Sequence, residues 1–120
     1  MTEWERCLPW IVAALDEGGN THTPDDVLAM VKSGRAQFWP AERGCLVTEI
    51  LVYPRCNVLN VWLGGGELDQ LTDMQSAVMA WAGAMGCTRM SIQGRRGWVR
   101  ALEKHGWRHA HAVVVKELSE

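Results

Sequence analysis

The sequence predicts an α/β fold, a mixed sheet flanked by helices, and three observations carry that reading. An apolar strand, Val58–Leu63, runs into three consecutive glycines, Gly64 to Gly66. Leu71, Met74, Val78, Trp81, Ala82 and Met85 then recur at three- and four-residue spacing, which places them on one helical face. Gly86 closes that helix with a left-handed cap. A second strand, Arg89–Gln93, is followed by a short helix, Gly97–His105, which carries Trp98, Ala101, Leu102 and His105 on one face and ends at Gly106. Two strands joined through a helix are parallel neighbours linked by a right-handed crossover. The rest of the chain must cover or extend that unit.

The segments upstream can be taken in order. Thr2 and Glu5 have the form of a capping box, and Trp4, Leu8, Ile11, Ala14 and Leu15 share one face after it. Pro9 lacks an N–H and is expected to kink or restart this helix, which Gly18-Gly19 ends. A second helix starts from Thr23 as N-cap, with Pro24 first and Asp25 and Asp26 where the helix dipole favours negative charge. Val27, Leu28 and Val31 form its inner face and Gly34 its stop; the polar Asn20-Thr21-His22 reads as loop backbone bonding before the cap. From Arg35 the period becomes extended. Ala36–Trp39 is a short strand that Pro40 ends, Cys45–Tyr53 a longer one, and Pro54–Asn57 the turn into Val58. These make an antiparallel meander. At the far end, Trp107 to Leu118 closes the chain, with His109–Val115 as a last strand.

Bulk composition excludes several function classes. At 120 residues the chain makes one domain, residues 1–120. Its 12 basic and 14 acidic residues nearly balance, so whole-chain attraction to nucleic acid or membrane is not expected. No apolar run approaches the roughly 20 residues that span a bilayer, and Met1–Glu5 is acidic and polar, unlike a secretory signal. Four dispersed cysteines with no Cys-x-x-Cys pair point to reduced thiols and a cytoplasmic setting. Seven tryptophans exceed what so small a core can hide, which predicts an aromatic contact surface.

Three groups of residues could carry chemistry. Glu49 stands mid-strand between Val47 and Leu51, either a base facing a cleft or an outward residue on a solvated face. His109 and His111 share a strand face, as a metal pair would, but no third ligand stands at useful spacing, so no metal is assigned. Arg89, Arg95, Arg96, Arg100, Lys104 and Arg108 place half of the 12 basic residues within 20 positions. Arg95 and Arg96 open a helix, where backbone donors and side-chain charge act together on an anion. That anion could be a phosphate, an acidic protein surface or a nucleic-acid backbone. Otherwise the cluster is a solvated face with ion pairs to Glu103 and the acidic tail.

The element order, with Gly86–Arg89 after the long helix and Leu102-Glu103-Lys104-His105-Gly106-Trp107 near the end, resembles the GNAT superfamily of acyl-CoA N-acyltransferases. The family's usual first strand is missing, because the chain opens on a helix. Asn20–Thr23, Trp39-Pro40, Thr48–Ile50, Trp62–Gly66 and Gly94–Trp98 are closest in style to the small GNAT-like proteins of phages and prophages. That resemblance implies a virion or assembly component without catalysis. It would work in the bacterial cytoplasm or within a virion through contacts with other assembly proteins or its own copies, using Arg89, Arg95, Arg96 and Arg100. The family's own activity is the alternative: acyl transfer from acetyl-CoA or another acyl-CoA, with Glu49 as base. Leu63, Gly64, Gly65 and Gly66 would then cradle the diphosphate, and Arg95 and Arg96 would contact phosphate. The family's diphosphate loop falls on Gly66–Leu71, where Asp69 and Leu71 replace required glycines and Glu67 adds charge against an anion. Its general-acid Tyr position falls on Leu102, which cannot donate a proton. The resemblance also implies that the two parallel strands splay into a cleft.

Overall fold

The computed structural model describes residues 1–93 and 96–119. Its elements run α1 (Glu3–Glu17), α2 (Pro24–Lys32), β1 (Gln37–Ala41), β2 (Gly44–Val52), β3 (Asn57–Gly66), α3 (Leu68–Asp73), α4 (Gln75–Ala84), β4 (Arg89–Ile92) and α5 (Arg96–Glu103). The four strands form one sheet in the order β1-β2-β3-β4. The first two pairings are antiparallel, and β3–β4 is parallel, matching Val58–Val61 to Arg89–Ile92. The mixed sheet and its crossover are as the periodicities predict.

Helix starts follow their capping chemistry. Thr23 accepts the Asp26 N–H at 3.2 Å while Asp26 accepts the Thr23 N–H at 2.8 Å, a closed capping box. Thr2 accepts from the Glu5 N–H at 3.1 Å. Contrary to expectation, α1 runs unbroken through Pro9. Pro9 lies on the exposed side, where water can take the Glu5 carbonyl that it leaves unbonded. Gly86 supplies the predicted left-handed cap at φ 88°, and the Cys87 N–H closes onto the Ala82 carbonyl at 2.9 Å.

Four other expectations are corrected. Pro40 lies inside β1 rather than ending it, because β1 is an edge strand and the missing N–H faces outward. The helix expected over Leu71–Met85 begins earlier, at Leu68, and is divided at Met74, which keeps helical dihedrals. The strand expected over Val58–Leu63 continues through Gly64–Gly66, paired with Leu46, Cys45 and Gly44. Residues 109–115 form no strand; they are exposed.

The sheet is sandwiched. On one face α1 and α2 cover Cys7, Ile11, Leu15, Val27, Cys45, Val47 and Leu63. On the other, α3, α4 and α5 cover Leu46, Leu59, Val61, Leu71, Val78 and Ala82, with Trp98 packed against them. A β-bulge sets which β3 residues serve each layer: Val47 pairs with Leu63 but Thr48 with Val61, so Trp62 is an extra residue in β3. Beyond it the inward and outward positions of β3 exchange faces. Burial pushes the Cys45 thiol well up, helped by the neighbouring Cys7, so this pair is inert core.

Candidate functional site

The bulge and the end of β4 define the site. β4 pairs with β3 only as far as Val61, with Gln93 adding one bond to the Val61 carbonyl at 3.2 Å. From Trp62 to Gly66, β3 has no β4 partner among the described residues. The family resemblance implies a splay at this point. What fills it decides what the fold can do.

Three glycines line its upper side, and packing accounts for each. A Cβ at Gly64 would lie 3.2 Å from the Trp98 ring and 3.1 Å from Leu46. At Gly65 it would lie 2.6 Å from the Trp10 Cβ, which brings α1 down onto the strand. Gly66 has φ 105°, and a Cβ there would come within 2.3 Å of the Arg43 carbonyl oxygen. Beside this strip lies an open groove of about 550 Å³, walled by Trp10, Trp98, Arg43 and Glu67. Between the sheet and α3 to α5, Trp98, Leu102, Val61 and Ile92 leave only about 30 Å³, room for one water.

The loop at the end of β3 is electrically bound up. Arg43 meets Glu67 at 2.8 Å and Asp69 at 3.3 Å. Asp69 and then Glu67 hold its guanidinium above the usual arginine pKa. Two carboxylates on one cation leave net negative charge where the family places a diphosphate.

Glu49 lies on the opposite side of the sheet. It alternates with Cys45 and Val47, so it faces α1 and α2, and it is half-buried. Asn60 donates to its Oε1 at 3.2 Å, and Ser91 donates to the Asn60 oxygen at 2.9 Å. Glu49, Asn60 and Ser91 thus form one row across three strands, with Asn60 buried at its centre. Near the bulge, the His22 ring stands edge-on to Trp62 at 4.7 Å, while Thr21 holds its Nδ1 at 2.7 Å. Sequence reasoning missed Asn60 and Ser91, while it singled out His22 only within the loop before α2. The lone Asn inside Val58–Val61 was the available signal, since a buried amide there needs partners on neighbouring strands.

The other candidates scatter. Leu63 is core. Leu102, at the general-acid position, is 6% exposed and apolar. Arg89, Arg100, Lys104 and Arg108 are exposed, and among the described residues none of them pairs with a carboxylate, so the ion pairs expected to Glu103 and the tail are absent there. Arg96 opens α5, and Arg95 lies outside the described residues. All seven tryptophans are half-buried. Exposed apolar side chains include Val113, Val114, Val115 and Leu118. No group of three or more metal-binding side chains occurs among the described residues.

Neither a family model nor a curated protein sequence matches the chain. Solved structures do. One described as a probable acetyltransferase superposes with a TM-score of 0.69 at 9% identity, over 98% of this chain and 93% of its own. A Trypanosoma brucei acetyltransferase gives 0.64 at 12%, over 98% and 96%. The chain has the GNAT fold. A wild-type protein from Thermus thermophilus gives 0.63 at 15%, over 100% and 95%. At such identities the likeness carries the GNAT fold alone; chemistry must come from the residues.

Proposed function

We propose that this GNAT-fold chain has no acyltransferase activity and works through protein contacts, as a virion or assembly component of the phage or prophage type. The observation that carries the loss of catalysis is the Glu67–Asp69 loop, whose two carboxylates share Arg43 where the family resemblance puts an acyl-CoA diphosphate. Buried Leu102 in the acid position supports the same reading. Arg89 and Arg100, which meet no carboxylate among the described residues, and Arg95 and Arg96 near them in sequence suit an acidic partner surface. The assembly role itself is supported by resemblance to the small phage proteins. Calorimetric titration with acetyl-CoA and free CoA tests the proposal. No heat up to millimolar ligand is the expected result, and a micromolar site would overturn it.

One observation favours the second reading, an N-acyltransferase. The 550 Å³ groove beside Gly64–Gly66 is open, and the Glu49 row offers a half-buried carboxylate. On that reading Glu49→Gln abolishes acyl transfer to amine acceptors. Turnover that survives the substitution removes Glu49 from the chemistry.

A further inference from the structure

Charge of opposite sign stands on the two faces of the sheet. From Cys7 to Val31 the chain holds Asp16, Glu17, Asp25 and Asp26 and no lysine or arginine. These side chains are exposed where α1 ends and α2 begins, on the layer that covers one face. Asp16 and Glu17 stand at the C-terminal end of α1, which the helix dipole makes negative, and its last turn holds no basic residue. From Arg89 to Arg108 the balance reverses, with six basic residues against Glu103 alone. Arg100, Lys104 and Arg108 recur at every fourth residue and are exposed. Arg100 lies two residues from both Trp98 and Leu102, which pack inward, so it points away from the sheet. None of these three cations forms an ion pair among the described residues, and neither does Asp16 or Asp25.

We infer that the acidic partner of the α5 surface is the α1–α2 elbow of a second copy, so that copies associate head to tail. This rests on the reading that the protein works through protein contacts, and it names the partner. A foreign acidic partner would need only the basic surface; the cation-free stretch from Cys7 to Val31 is what points to a second copy. α5 and the α1/α2 layer lie across the sheet from one another, so a single chain cannot bring its own two surfaces together. The contact is heterologous: each copy offers one surface of each kind, and the surface left over takes another copy. Association of this kind closes into a ring or grows as a filament. Exposed ion pairs are individually weak and are screened by salt, so growth depends steeply on protein concentration and ionic strength.

The experiment is sedimentation velocity on the full chain and on two neutralised variants, at about 10 mM and about 1 M salt, where charges act over about 30 Å and about 3 Å. One variant carries Asp16→Asn with Asp25→Asn, the other Arg100→Gln with Lys104→Gln. All four positions are exposed, so both variants should fold, as tryptophan fluorescence will report. At low salt the wild-type mean mass should rise with protein concentration past twice the chain mass, and at high salt it should fall to one chain mass. Each variant alone should stay at one chain mass at low salt. Mixed in equal amounts, they should form a species of two chain masses and nothing larger, because one acidic and one basic surface survive between them. A wild type of one chain mass at low salt overturns the inference, and so does an assembly that salt or either variant leaves intact. A mixture that stays at one chain mass overturns it too, because the two surfaces would then not be each other's partners. None of these results bears on the acetyl-CoA titration, which decides the absence of catalysis separately.

Discussion

The two faces of the sheet are built to different standards. On the α1/α2 face helices are capped by side chains, and Arg6 ties Glu3 at 2.6 Å and the Ala41 carbonyl at 2.7 Å. Cys7, Val27, Cys45 and Val47 are fully excluded from solvent there. On the other face neither α3 nor α4 has a side-chain cap, β4 is four residues long, and the last segment lies in water. Charge divides along the chain as well: residues 1–73 hold 11 acidic and 5 basic side chains, and the remainder hold 3 and 7. Leu59 and Val78 are as fully excluded on the other face, so the layers differ in capping and charge, and the basic surface lies at the chain's later end. That surface is the part fit for partners.

The largest test of this contrast is a pair of substitutions. Ile11 is 1% exposed, and Ile11→Ala should cost about 2–5 kcal/mol in urea unfolding, as truncation in a closed core does. Val114→Lys should change stability by less than about 0.5 kcal/mol in the monomer. Equal losses at the two positions would erase the distinction between the layers.

The glycines sharpen it next. Gly66→Ala puts a Cβ against backbone at φ 105°, and should cost about 1–3 kcal/mol whether or not any ligand is present. Gly83 meets nothing within 4 Å on α4, so Gly83→Ala should gain about 0.4–1 kcal/mol. If Gly66→Ala leaves melting unchanged but removes CoA binding, the strip is a phosphate cradle and the packing account is wrong.

Much of the fold was legible because local rules decide it. Thr23-Pro24, Gly86 and the strand-helix-strand order each specify their element and its direction. Periodicity also marked residues 109–115 as strand, but periodicity is a property of the segment and pairing is not. The glycine run was not counted with the strand, because glycine weakens strands, and only the close approach of Trp10, Trp98 and Arg43 accounts for its place in β3. The Glu49–Asn60–Ser91 row needs three strands in register, and the bulge at Trp62 sets which residues share a face with it. Alternation within one strand gives two faces without saying which is which.

The smallest expected effect belongs to the capping box of α2. The backbone N–H of Thr23, and then its hydroxyl, hold the Asp26 carboxyl below its ordinary value of 3.8. A depressed carboxyl stabilises the fold above its unfolded pKa and loses that contribution as pH falls through the lower folded value. The wild-type melting temperature should therefore begin to fall below about pH 4 in part through Asp26. Asp26→Asn should melt lower than wild type at neutral pH and show a shallower acid decline, the two curves converging towards about pH 2. Thr23→Ala should lower stability by about 1 kcal/mol and flatten the same limb, because the hydroxyl and the carboxylate cap one helix together. Parallel melting curves across that range would mean that Asp26 has the same proton affinity folded and unfolded. The box would then be geometry without linkage.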